Sequence, residues 1–360
     1  SWGVAKSRHQ TDMKSYLMAS RATPWWVVGL SIMATQASAI TFLSTPGQAY
    51  ADGMRFVQFY FGLPLAMVVL SITAVPLYHR LNVYTAYEYL EKRFDVRVRG
   101  LTAFLFLLQR GLACGLTIYA PALVLSVLLG WPVSVTTALT GALVVVYVAA
   151  GGTKAVNATQ VQQLLIILVG MGTAFVLLLR LLPDEVGLAG AVRVAGRLGR
   201  LNAVDLTFDP SSRYNLWSGL IGGFFLALSY FGTDQSQVQR YLSGASVAQS
   251  RLGLLANGLI KVPMQFVILF VGAMVFAFYQ FVLPPVFFNP VETKRIEAGP
   301  RAGELASLEA RHRRAFEERR EKALAYVEAA RGEDSAAREA AGKALEEADA
   351  RFGAVRADVS

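Results

Sequence analysis

The stretch Ala34-Thr-Gln-Ala-Ser-Ala-Ile-Thr-Phe-Leu-Ser-Thr-Pro-Gly47 holds the residues best suited to chemistry in this chain, and that chemistry is cation binding. Small and hydroxylated residues interrupt a hydrophobic, helix-length run, which Pro46-Gly47 then closes. Inside a bilayer every backbone N–H and C=O needs a partner, so a broken helix persists only where it lines a cavity or binds something. The freed carbonyls, with Ser and Thr hydroxyls, offer the hard oxygens, about five or six, that a Na⁺ ion takes without burying a full charge. The competing reading is that Ala and Ser let two helices pack closely. The segment alone does not choose between them.

A second apolar run turns polar in a similar way, at Leu226-Ala-Leu-Ser-Tyr-Phe-Gly-Thr-Asp-Gln235, with a break expected at Gly232. Two interrupted spans five apart are the mark of an inverted repeat, whose first and sixth spans meet at the midplane and share the substrate. Asp234, near a membrane edge, must be solvated, paired or functional. Tyr230 could hydrogen-bond or stack on a substrate, or be an interfacial aromatic. Gln160 and Gln163, in the polar opening of the fifth run, can bridge helices without an ionisation cost. Lys261, early in the last run, could snorkel to the interface. No Ser-His-Asp arrangement, Gly-rich phosphate loop or paired carboxylates stand in a span, so an intramembrane hydrolase or an ATP-driven pump lacks residues to run it.

The elements that must position these residues are membrane spans. The chain has 360 residues, 54% hydrophobic and 16% charged, which excludes an ordinary soluble domain. A single cysteine, Cys114, and three histidines outside ligand spacing leave no disulfide framework, zinc centre or haem centre. Seven runs qualify, at 25–44, 55–79, 100–129, 132–150, 156–182, 214–234 and 254–283, against the roughly 20 apolar residues that cross a bilayer. Loops are expected at 45–54 and 130–131, nearly free of positive charge, and around Gly151-Gly152 and Lys154. Arg80, Lys92, Arg93, Arg97 and Arg99 crowd 80–99, and Arg240 and Arg251 mark the loop after the sixth run. Lys6, Arg8, Lys14 and Arg21 do the same before the first, which makes residues 1–24 a cytoplasmic segment. Glu88, Glu91, Lys92 and Arg93 suit an amphipathic helix there. The chain opens on Ser with no cleavable-signal pattern, as a truncated N-terminus would.

Residues 284–360 are a different material. Past Pro284-Pro285 and Asn289-Pro290 the chain turns to Ala, Glu and Arg, with 14 basic and 15 acidic residues over 292–360. The excess positive charge of the protein therefore lies in 1–291, in short loops, where it orients spans rather than binding nucleic acid. Leu305, Leu308 and Phe316 give a thin stripe at helical spacing. A solvated helical hairpin is the simplest reading; a coiled coil that binds a protein partner is the other, without sustained heptads. Seven spans place this segment outside the cell.

At these residues the chain resembles the sodium:solute symporter family. The resemblance rests on Trp25-Trp26 leading into Ala34-Thr-Gln-Ala-Ser38 and Pro46-Gly47, then Tyr84-Thr-Ala-Tyr-Glu-Tyr-Leu-Glu-Lys-Arg-Phe94. Gly151-Gly152 with Ala155-Val156, and Gly232-Thr-Asp-Gln-Ser-Gln-Val-Gln-Arg-Tyr241, complete it over about residues 20–285. It implies an all-α, polytopic membrane protein of the leucine-transporter fold, in a plasma (inner) membrane, coupling Na⁺ flow to uptake of a small solute. It implies that Ala34 and Ala37 offer carbonyls to Na⁺, with Ser38 beside them, and that Gln36, Thr41, Tyr60, Tyr230 and Gln235 form the substrate side. Tyr230 falls on the inner-gate aromatic of the sugar branch. Members commonly read Thr-Asp-Val-x-Gln where this chain has Thr159-Gln-Val-Gln-Gln163, which puts a second Na⁺ site in doubt. Ala227 replaces a polar sugar contact. The family core has ten helices, so helices one to seven are expected here, with the eighth and its hydroxyl ligands to Na⁺ following residue 360.

The implied function is a Na⁺-coupled symporter for an organic anion, a sugar or a nucleoside-like solute, with Na⁺ as coupling ion, no other cofactor and no chemistry on the substrate. The alternative is a solute sensor or scaffold that signals through 292–360, which would require that segment to be cytoplasmic.

Overall fold

The computed structural model describes residues 22–37, 40–288 and 290–358. Its described residues are helical throughout, apart from turns, extended loops and one isolated bridge between Thr23 and Gly244. The first apolar run forms α1 (Trp25–Gln36), a π-helical turn (Ile40–Ser44) and α2 (Thr45–Asp52). The two halves are bent by 69°. The loop expected at 45–54 is thus mostly helix. Pro46 sits in the first turn of α2, where a missing N–H costs nothing, and Gly53 ends the helix at φ 79°.

A 3₁₀ turn (Met54–Tyr60), α3 (Gly62–Ile72) and α4 (Ala74–Leu81) carry the second run. The amphipathic helix expected next is α5 (Ala86–Arg93), capped by the Thr85 hydroxyl, which accepts from Glu88 N–H. The third run is α6 (Val96–Leu129), closed by Gly130 at φ 69°. Then the expectation fails. The fourth and fifth runs are one 49-residue helix, α7 (Val133–Leu181), whose hydrogen bonding continues through Gly151-Gly152. A glycine pair costs a helix about 2 kcal/mol, less than leaving several backbone groups unpaired in lipid. The two halves of α7 nonetheless serve different neighbours. Thr136 Oγ1 donates to the Ala122 carbonyl of α6 (2.9 Å), whereas Leu164 packs with Met33 of α1 and with Met264.

After α8 (Gly187–Arg197), the sixth run is a π-helical turn (Ser218–Gly222) followed by α9 (Gly223–Thr233). The break expected at Gly232 falls instead at Asp234, which caps α10 (Gln235–Leu242) through its carboxylate. The sixth span is therefore irregular at its end rather than at mid-length, because it packs backbone to backbone. A Cβ on Gly219 would meet the Gln58 carbonyl oxygen at 2.3 Å, and one on Gly62 would meet Phe224 N at 2.2 Å. Such contacts between small residues hold membrane helices together where lipid supplies no hydrophobic drive.

The last run is α11 (Val247–Phe281), which packs along both α1 and α2. By length and composition four helical stretches can cross a membrane, with α1 and 41–52 as a broken fifth; Val133–Val146 and Ser218–Thr233 are shorter apolar helices. Each of the seven expected runs falls on helix, but only four or five of these stretches are long and apolar enough to cross a membrane. Trp25 N–H donates to Gln249 Oε1 (2.6 Å) and Ala86 N–H to Gln235 Oε1 (3.0 Å), so the basic loops share one end of the molecule.

Beyond α12 (Pro290–Glu297), the charged segment is a hairpin of α13 (Ala302–Ala329) and α14 (Ser335–Ala357). It is docked, not free in solvent. Arg320 Nε donates to the Phe281 carbonyl (3.1 Å), and Arg197 of α8 pairs with Glu339 (2.7 Å) and Glu346 (2.8 Å). The hairpin thus occupies the end opposite the basic loops. Its inner stripe includes Phe316 of the expected set but not Leu305 or Leu308; His312, Arg319, Ala323, Tyr326 and Val327 complete it. His312 is 1% exposed, 4.9 Å from the Phe352 ring.

Two predictions follow from these contacts. Gly62→Ala should lower thermal stability sharply, by about 2–5 kcal/mol as overpacked cores go, while Gly222→Ala, with open space around it, should be neutral or slightly stabilising by thermal unfolding in detergent. Burial, then the charges of Arg356 and Arg319, hold His312 below its ordinary pKa. Its folded-state stabilisation is complete above the unfolded value near 6.5 and is lost as pH falls through the depressed folded value. Hydrogen-exchange protection over 302–357 should therefore fall on acidification through and below pH 6.5, and His312→Leu should flatten that dependence.

Candidate functional site

α1 ends because its last turn has nowhere regular to go. Ala37 takes φ −83°, ψ 67°, and its N–H is shared between the carbonyls of Met33 (3.0 Å) and Ala34 (3.1 Å). Ala37 is buried, packed with Phe42, Leu164, Met264 and Ile268. Thr41 Oγ1 donates across the break to the Gln36 carbonyl (2.7 Å), and Gln36 Oε1 is buried without a partner. Each carbonyl keeps a second lone pair, and the C-terminal end of a half-helix carries partial negative charge. The break therefore presents carbonyl oxygens of the kind a cation can use, near Ala34 and Ala37. Ser38 lies outside the described residues.

Behind the break a polar network ties α1 to α7. Ser31 Oγ, fully buried, lies 2.9 Å from Asn157 Oδ1 and 2.8 Å from Gln160 Oε1. Gln160 Nε2 donates to Thr35 Oγ1 (3.2 Å), and Arg240 Nη1 reaches Asn157 Oδ1 (2.8 Å). Gln160 is the bridge its type suggested; Gln163 is exposed. No residue of this network was a candidate ligand, and it braces the broken helix.

Lys261 overturns its expected role. It stands about 21 Å along α11, at 1.5 Å per residue from Val247, too far from the helix end to snorkel. Its side chain is 1% exposed. The ammonium lies 6.0 Å from the Tyr60 ring centroid and has no hydrogen-bond partner among the described residues. One turn on, the buried amide of Gln265 lies against the Tyr60 hydroxyl, and one turn before, Asn257 Oδ1 is buried without a hydrogen-bond partner among the described residues. Tyr60 is thus the candidate that the fold brings to a charged group. An uncompensated ammonium in an apolar interior is costly and calls for an anion. The signal in sequence was the i,i+4 pair Lys261 and Gln265 in an otherwise apolar run.

Tyr230 and Gln235 belong to another group, near the basic loops. Gln237 Nε2 donates to the Tyr230 hydroxyl (2.9 Å), and the Arg110 guanidinium sits 5.5 Å from the Tyr230 ring. Arg110 pairs with Asp234 (2.5 Å) and donates to Ser236 Oγ (2.7 Å), so Asp234 is paired as well as capping. Tyr230, Tyr87, Phe106 and Asp234 line a cavity of about 270 Å³. The Gln235 amide is spent on backbone: Oε1 accepts from Ala86 N–H and Nε2 donates to the Tyr84 carbonyl (3.2 Å). That geometry staples a loop and leaves little to offer a solute.

Comparison with known proteins adds an independent line. The model of the sodium:solute symporter family matches residues 16–305. The sodium/iodide cotransporter of Homo sapiens is 34% identical over 69% of this chain and 38% of its own length. Sodium-coupled monocarboxylate transporter 1 of Homo sapiens is 35% identical over 69% of the chain and 40% of its own. The sodium-dependent multivitamin transporter of Oryctolagus cuniculus is 33% identical over 73% and 41%. The chain thus spans about two fifths of the length of the curated relatives it matches. A solved structure of a substrate-bound, outward-open Na⁺-coupled sialic acid symporter superposes with a TM-score of 0.70 at 22% identity, over 98% of this chain and 76% of that one. At that identity it shows the fold, which is of the leucine-transporter type.

The bracing network makes a prediction. Gln160→Leu should destabilise the protein by about 1 kcal/mol, the worth of its hydrogen bonds to Ser31 and Thr35, because Ser31 keeps Asn157 Oδ1 and Thr35 keeps the Ser31 carbonyl as partners. Ser31→Ala should lose less in that background than in the wild type, because the two share a hydrogen bond, which a double-mutant cycle on thermal unfolding would measure.

Proposed function

The chain belongs to the sodium:solute symporter family, a multi-pass membrane protein, and from that premise we propose that it is the ion- and substrate-binding part of a Na⁺-coupled importer of a small organic anion. The observation that carries the choice of an anion is Lys261, buried and unpaired beside Tyr60 and Gln265. The relatives named for iodide and for monocarboxylates point the same way, since both cargoes are anions.

Coupling has a physical route. Na⁺ takes the carbonyls at Ala34 and Ala37, at the negative end of α1, with the hydroxyl of Ser38, next in sequence, as a further proposed ligand. The carboxylate of the solute takes Lys261, with Tyr60 and Gln265 setting its orientation; Gln36 and Thr41 line the same break, and Tyr230 and Gln235 belong to the inner end. Each ligand raises the affinity for the other by the same factor, and together they shift the outward-open and inward-open populations by their differential affinities. Each Na⁺ moving inward gains about 2.3 kcal/mol per 100 mV. The arginine-rich loops at 80–99 and 240–251 face the cytoplasm and the hairpin faces outside, in a plasma membrane. No covalent step is involved.

Thermal-shift titration tests this reading, on the chain alone and extended to the length of its relatives. A short monocarboxylate should stabilise the extended protein by several degrees in NaCl and by much less in equal KCl, while glucose does nothing. Lys261→Gln should fold at least as well, because a buried ammonium is removed, yet lose the carboxylate response. Stabilisation by glucose, or an unchanged response in Lys261→Gln, would remove the anion assignment; no Na⁺ effect would favour a sensor.

A further inference from the structure

Between the docked hairpin and the membrane core lies a cavity of about 920 Å³. None of its lining residues belongs to the break in α1, though Tyr50 and Ala51 of α2 take part. One wall is apolar: Leu123, Val124 and Leu128, exposed on the last turns of α6, where that helix leaves the membrane. The other wall is cationic and aromatic.

Three arginines line that second wall. Arg319 of α13 is 3% exposed, lies 3.6 Å from the Phe352 ring, and spends its Nη atoms on Asp349 (3.2 Å) and the Tyr279 carbonyl (2.7 Å). Arg200 stacks at 4.4 Å on Phe276 and donates to the Ala51 carbonyl. Arg356 of α14 donates to the Tyr50 hydroxyl (2.9 Å) and approaches Phe288 at 5.7 Å. Asp349 is the acid lining this cavity, so three guanidiniums face one carboxylate. The Nε atoms of both Arg319 and Arg200 are buried without a hydrogen-bond partner. Guanidinium forks with free donors, held rigidly on aromatic faces, match phosphate oxygens.

We propose that this cavity binds an anionic phospholipid, its phosphate on Arg200 and Arg356 beside Arg319 and an acyl chain along Leu123, Val124 and Leu128. Two net positive charges favour an anion, and a wall of exposed apolar side chains on α6 favours one that carries a hydrocarbon tail. Basic pockets at headgroup level recognise lipids by this combination. The bound lipid bridges α6, α2, α11 and both hairpin helices, so it clamps the hairpin to the core.

The test is thermal unfolding of the purified 360-residue chain in detergent micelles doped with phosphatidylglycerol or phosphatidylcholine. Phosphatidylglycerol should raise the midpoint by several degrees and phosphatidylcholine by much less. Arg200→Gln/Arg356→Gln should need at least fivefold more phosphatidylglycerol for half the shift, and Arg200→Lys/Arg356→Lys an intermediate amount. Arg313→Gln/Arg314→Gln, which removes two exposed hairpin charges, should behave as wild type. Should the Gln pair fail to fold, the Lys pair and native mass spectrometry of co-purified lipid decide. Equal shifts by the two lipids, an unchanged response in the folded variants, or a full shift from glycerol phosphate alone would each overturn the proposal, the last in favour of a soluble anion.

Discussion

Hydrogen bonding in a medium without water governs this molecule. A bilayer core offers the backbone no solvent partner, so each departure from helix must be matched by a nearby donor or acceptor. α7 shows the rule obeyed at the expense of local preference, carrying helical bonds through two adjacent glycines. α1 shows it suspended at one place, Ala37, where the next bonds are made by a bifurcated N–H and by the Thr41 hydroxyl. Among the described residues of α1 the carbonyls near Ala37 are the ones released from the regular helix ladder.

The rest of the core holds the break in place. Gly219 and Gly223 bring the sixth span against the 58–60 backbone, Gly272 of α11 lies against Pro46, and Ser31, Asn157 and Gln160 fasten α1 to α7. Small residues and neutral amides do this at low desolvation cost. The charged exceptions are telling. Arg110 and Asp234 neutralise one another, whereas Lys261 has no such partner among the described residues, so its burial costs stability rather than adding to it.

The hairpin follows the opposite economy. It lies outside the apolar core, rich in both signs of charge, yet Arg319 and Arg320 reach back to carbonyls at the end of α11, Arg356 to the Tyr50 hydroxyl of α2, and Glu339 and Glu346 pair with Arg197 of α8. Those contacts make it a fixed cap on the end opposite the basic loops.

Much of this was legible in the residues themselves. Apolar run length sets where helices lie, and the order of motifs from Trp25 to Tyr241 identifies the family, since both depend on neighbours in sequence. The break in α1 was legible too, because small residues followed by Pro46 cannot continue a helix unsupported. Three things were decided only by tertiary structure. Gly151-Gly152 joined a helix because lipid penalises a loop more than helix propensity does. Gln235 became a staple for 84–86 because the fold spent its amide there. Lys261 became a buried charge rather than a snorkelling one because α11 turns that face toward Tyr60, and which face a helix buries depends on partners that lie far away in sequence.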